Sequence, residues 1–93
     1  MSNKFNAGTL CMTRGVSDRV ADDLMFAEFV EASLVKHLRG DWGDLSEEDK
    51  LENENALMDG GRLLSAYGSD PDKIWIITES DGSVTTVLFP DEY

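Results

Sequence analysis

Two side chains in this protein could begin nucleophilic chemistry: Cys11 and His37, each the only residue of its type. A thiolate activated by an imidazole is a workable nucleophile–base pair, provided the two groups come within hydrogen-bond reach. Nothing in their spacing brings them together. Cys11 lies in the small-apolar stretch GTLCMT, which predicts a buried, inert thiol. His37 falls between Lys36 and Leu38 near the end of an amphipathic stretch, where a histidine is expected to serve structure or the helix dipole. A closed zinc site needs a full set of cysteine and histidine ligands, and one of each cannot supply it. DPD at 70–72 and SDGS at 80–83 lack the alternating oxygens and closing glutamate of a calcium loop and read as turns. No glycine-rich phosphate loop is present. No catalytic residue, metal or cofactor is therefore assigned, and the protein is expected not to be an enzyme.

The remaining chemistry is charge. Nineteen aspartates and glutamates stand against 8 lysines and arginines, for a formal net charge of −11. The acids concentrate in GDWGDLSEEDKLENENALMDGG, residues 40–61, where they meet a single base, Lys50. Ser46 reads as a helix N-cap, and Glu47, Glu48 and Asp49 then occupy a first turn, where carboxylates complement the macrodipole. The other acids have no such local reason. Phosphate contacts require clustered lysine and arginine, so direct nucleic-acid binding is disfavoured and a basic protein surface is the expected partner. The candidate partner-binding set is Asp41, Trp42, Asp44, Glu47, Glu48, Glu52, Glu54 and Asp59. Trp42, beside Asp41 in a predicted loop, either plugs the core over the helix ends or anchors the interface at its centre. Tyr67 and Tyr93 are weaker anchors of the same kind. The plain reading of the charge is solubility alone.

These residues need elements to carry them. GTLCMTRGV reads as a short strand ended by Gly15, with Ser17 capping a short helical turn after it. Asp22 or Asp23 can cap a longer helix. In LMFAEFVEASLVKHLRG, Phe26, Phe29, Val30, Leu34, Val35 and Leu38 recur at three- and four-residue steps, one buried stripe that Gly40 ends. The acidic helix after Ser46 has a thin predicted inner stripe of Leu51, Asn55 and Met58, widened by Ala56 and Leu57. From Arg62 the period becomes two: RLLSAY, KIWIITE and VTTVLF are strands, with SDGS as a hairpin turn and Pro90 as the stop. This order predicts an α+β fold: a small antiparallel sheet, formed by the N-terminal strand plus a C-terminal three-stranded meander, with two or three helices packed on one face.

With 93 residues and 41% hydrophobic content, one domain over 1–93 is expected. The chain has no apolar run of membrane-spanning length and no signal-like N-terminus, and a lone cysteine fits a reducing compartment. A cytoplasmic protein with no membrane contact is expected.

MTRGV, GDWGDLSEEDK, GGRLLSAY and KIWIITESDGSVTTVLFPDEY together resemble a family of short plasmid-related proteins of bacterial mobile elements, across residues 9–93. The resemblance carries no catalytic residues; what it implies is context. Small acidic proteins of mobile elements resemble anti-CRISPR and antirestriction inhibitors in size and charge. The expected function is a non-catalytic inhibitor that occupies a basic, nucleic-acid-handling surface of a host defence nuclease complex. The alternative is a small accessory or regulatory interaction domain, homodimeric through an open sheet edge in one version, whose acidity serves solubility.

Overall fold

The computed structural model describes residues 3–93, in the order β1 (Thr9–Met12), α1 (Arg14–Asp22), α2 (Leu24–Leu38), α3 (Glu47–Asp59), β2 (Leu63–Tyr67), β3 (Ile74–Thr78), β4 (Val84–Leu88) and a short 3₁₀ turn, Pro90–Glu92. The alternating β-branched and aromatic residues of the last third form the expected antiparallel meander, turned between β3 and β4 with Gly82 at φ +70°. The fold is α+β, with helices packed on a four-stranded sheet of order β1-β4-β3-β2.

One part of the expected sheet is corrected. β1 does join the meander, but parallel to β4, pairing Thr9 with Val84 and Met12 with Val87, so the sheet is mixed. No hairpin links β1 to its neighbour. The chain leaves it for the helical layer and re-enters the sheet at the far edge, so that crossing sets the direction of β1.

Ile74 and Ile76 of β3 and Val87 of β4 point to the helix side, where they pack with Val16, Phe26, Val30 and Tyr67. Asp23 caps α2 by accepting from the Phe26 amide, as its position predicted. The buried positions of α2 are Phe26, Val30, Ser33 and His37. Val35, placed in the stripe by its spacing, is exposed instead.

α1 starts at Arg14, earlier than Ser17 suggests, and Ser17 lies inside it. Its cap comes from the other end of the chain. The Glu92 carboxylate accepts from the Gly15 amide at 3.0 Å, from the Thr13 hydroxyl at 2.5 Å and from the Phe89 amide at 3.0 Å. A carboxylate at a helix N-terminus satisfies otherwise orphaned amides and complements the dipole.

The edge strand β2 determines where α3 sits. Leu63, Ser65 and Tyr67 turn their main-chain groups toward β3, so those of Leu64 and Ala66 point outward. All four outward groups are satisfied. Asn53 of α3 donates from Nδ2 to the Leu64 carbonyl at 2.6 Å and accepts at Oδ1 from the Leu64 amide at 3.2 Å. The Ala66 amide donates to the Trp42 carbonyl at 3.3 Å, and the Ala66 carbonyl accepts from the Asp44 amide at 2.7 Å. Gly43 makes this approach possible: it holds φ +75°, and a Cβ there would lie 2.0 Å from the Ala66 oxygen.

Replacing Asn53 with alanine leaves both Leu64 groups unpaired beside a buried site. Each such loss costs about 1–3 kcal/mol, so Asn53→Ala is expected to lower the unfolding free energy by several kcal/mol, read by urea denaturation. A variant within experimental error of the parent would show that the amide does not hold the edge.

Candidate functional site

The loop and helix that carry the acids are tied to the sheet through a buried polar relay. His37 is fully buried, with Nδ1 against the Ser65 hydroxyl and Nε2 2.9 Å from Thr78 Oγ1. Thr78 Oγ1 lies 2.7 Å from Thr85 Oγ1, and Thr85 donates to the Ala7 carbonyl at 2.7 Å. Each hydroxyl has one proton. Thr85 spends its own on Ala7, so Thr78 must donate to Thr85 and accept from His37. His37 therefore carries its proton on Nε2, and Nδ1 accepts from Ser65. The ring is neutral: burial pushes its pKa down to about 4. A neutral imidazole does not complement the helix dipole, so of the two expected roles the structural one applies.

Cys11 plays no part in this relay. It pairs beside Thr86, on the sheet face opposite Thr78 and Thr85, and it is exposed, not buried as its apolar neighbours suggested. The sheet separates the thiol from the imidazole, so no Cys11–His37 dyad exists. GTLCMT is apolar because it forms a strand, and that strand lies at an edge.

Trp42 is corrected from interface anchor to core. It is 3% exposed, its ring edge-on to His37 and stacked on Phe5. Its Nε1–H donates to Glu54 Oε2 at 2.7 Å. The sheet, His37, Trp42 and Glu54 thus form one continuous link from Thr78 to α3. Tyr67 is buried as well, and its hydroxyl donates to the Asp41 carbonyl at 2.6 Å. Tyr93 stays exposed, edge-on to Trp75.

The candidate acids divide by role. Asp41 accepts from the Gly43 amide at 3.1 Å and Asp44 from the Gly68 amide at 3.0 Å; both shape the segment that seals β2. Glu54 holds Trp42. Glu47 lies 3.8 Å from Lys50 on a largely exposed side chain, a contact worth little. Glu48, Glu52 and Asp59 make no ion pair among the described residues and are exposed. They follow one another at steps of four and seven, so they line one face of α3.

The predicted inner stripe of α3 is corrected too. Asn53 is the buried residue of the helix, flanked by half-buried Ala56, Leu57 and Lys50. Leu51, Asn55 and Met58 point outward, Leu51 at 61% exposure and Met58 at 86%. Sealing β2 requires an amide on the inner face, which turns the periodic apolar residues to solvent. The outer face of α3 is therefore an apolar line, Leu51 and Met58, bordered by Glu48, Glu52 and Asp59. Beside it an open bowl of about 590 Å³ has Trp75 and Leu64 among its walls and mixed charge at its rim, Asp49 and Glu52 against Arg62 and Lys73.

Among the described residues no cluster of histidine, cysteine and carboxylate groups suits a metal ion, and no helix is long and apolar enough to cross a membrane. Comparison with known protein families, with curated proteins and with solved structures finds no match.

The relay has a pH signature. The unfolded imidazole takes a proton near pH 6.5, whereas the folded one resists it until about pH 4. Stability is therefore unaffected by His37 above pH 6.5 and declines as pH falls through that window, by about 3 kcal/mol at roughly 1.4 kcal/mol per unit. Urea denaturation at stepped pH is expected to show this slope, and His37→Gln to flatten it. Equal slopes in both proteins would mean that another group titrates.

Proposed function

We propose that the protein is a non-catalytic binding protein whose outer α3 face docks on a cationic, nucleic-acid-handling surface of another protein and blocks it. One observation carries this reading: a helix that uses its inner face to seal the sheet leaves Leu51 and Met58 exposed in line with unpaired Glu48, Glu52 and Asp59. Large exposed apolar side chains supply anchoring area, and the bordering carboxylates steer the encounter and reject acidic partners. With a net charge of −11, phosphate itself is repelled, which favours a protein partner over nucleic acid.

The acids divide this labour. Asp41, Asp44 and Glu54 hold the loop and helix in place, and Glu48, Glu52 and Asp59 face the partner. The plasmid-related resemblance makes host defence nuclease complexes, of the kind blocked by anti-CRISPR and antirestriction proteins, the first class of partner to test.

The test is binding of the purified protein to such complexes at rising salt. Affinity is expected to fall steeply as ionic strength increases. Glu48→Lys/Glu52→Lys/Asp59→Lys is expected to lower the association rate, and Leu51→Ser/Met58→Ser to raise the dissociation rate. Each set should weaken binding by about tenfold or more, at least roughly 1.4 kcal/mol. All five side chains are solvent-facing, so circular dichroism should be unchanged. Full affinity in both variants would exclude this face as the contact.

A further inference from the structure

The two edges of the sheet are treated differently. On β2 every outward main-chain group is occupied by Asn53 or by the segment 42–44. On β1, Thr9 and Thr13 send their amides inward, to Ser83 just before β4 and to Val87 within it. By the parallel register Cys11 also faces inward, so the amides and carbonyls of Leu10 and Met12 point away from the sheet. Among the described residues nothing bonds to them. Their side chains are 55% and 45% exposed. β1 has none of the lysines, prolines or bulges that usually protect an edge.

We infer that β1 pairs with β1 of a second copy of this chain, antiparallel about a two-fold axis at Cys11. The register is self-complementary. The outward residues Leu10 and Met12 flank Cys11, so Leu10 of one copy exchanges both main-chain bonds with Met12 of the other, and the reverse holds by symmetry. Leu10 and Met12 lie on the helix side of the sheet and meet their counterparts there.

Charge selects a second copy over a foreign strand. Two chains of net charge −11 repel across most of their surfaces. The stretch FNAGTLCMT, residues 5–13, contains no charged residue at all. Its own side chains are neutral, so two acidic copies can approach on it, and the one carboxylate described beside it, Glu92 at Thr13, is committed to the cap of α1. Pairing over four residues is short, so the dimer is reversible and depends on concentration. The inference is independent of the α3 reading, because β1 and α3 lie at opposite edges of the sheet.

The register can be read chemically. Cys11 and its copy become a non-hydrogen-bonded antiparallel pair, with Cα atoms about 4.5 Å apart. Disulfides bridge Cα separations of about 4.4–6.8 Å. Diamide oxidises such a pair: the two thiols give up two electrons and two protons, an S–S bond forms, and diamide is reduced to its hydrazine. The wild-type protein is expected to yield a linked dimer of twice 10.3 kDa on a non-reducing gel. In Thr9→Cys/Cys11→Ser the thiol sits on the same exposed face but opposite Thr13 of the second copy, so trapping should be much weaker. Sedimentation equilibrium of unoxidised protein should show reversible dimerisation that Met12→Lys abolishes without changing the circular dichroism. The inference is overturned by a wild-type protein that stays monomeric at the highest soluble concentration. It is equally overturned by a dimer that persists in Met12→Lys, or by equal trapping of the two cysteine positions, which marks random collision.

Discussion

The outward main-chain groups of Leu64 and Ala66 dictate how the helical layer is placed on this sheet. A strand that ends a sheet must leave such groups in water, offer them to another chain or have them covered. Here they are covered from within, by one side-chain amide and one short segment of loop. Asn53 can serve both the carbonyl and the amide of Leu64 because its side chain is donor and acceptor at once. Leucine at that position would bury more apolar surface and satisfy neither group.

Fixing Asn53 inward fixes everything else about α3. The helix is too polar to be held by an apolar stripe, and it is positioned by specific hydrogen bonds: Asn53 to β2, and Glu54 to the Trp42 indole. Trp42 is in turn held against His37, which the relay of Thr78 and Thr85 locks into one tautomer. The same geometry decides what remains free. With the β2 edge occupied, the open edge of the sheet is β1; with Asn53 inside, Leu51 and Met58 are outside. A dimer through β1 would present two α3 faces at its far ends, and a partner able to reach both would gain avidity without any new contact.

What the sequence revealed were the features decided locally. The cap at Asp23, the cap at Ser46 with the Asp49 amide, the glycine stops at Gly40 and Gly60, and the meander with its turn at Gly82 all follow from signals a few residues long. The expected helix-on-sheet arrangement follows from their order. What escaped was decided at a distance. Glu92 caps α1 from the far end of the chain, and no neighbour of Thr13 announces it. The outer line of Leu51 and Met58 read as a core stripe because periodicity shows that residues share a face without showing which way the face turns. Trp42 among acids was open to two readings, and burial in the presence of Phe5 and His37 chose between them. A signal for Asn53 was present: LENENALM has too few apolar residues to make a buried face, so a polar one had to point inward.

Native-state hydrogen exchange reads the sealed edge amide by amide. The Leu64 and Ala66 amides point away from the sheet, yet they are bonded to Asn53 and to the Trp42 carbonyl. They should exchange about as slowly as the amides of the central strand β3, with Leu64 in Asn53→Ala accelerating well beyond the general rise that the loss of global stability brings. Leu64 and Ala66 exchanging in the folded protein at the rate of unstructured amides would contradict the account, because α3 would then have no fixed orientation and its outer face no defined composition.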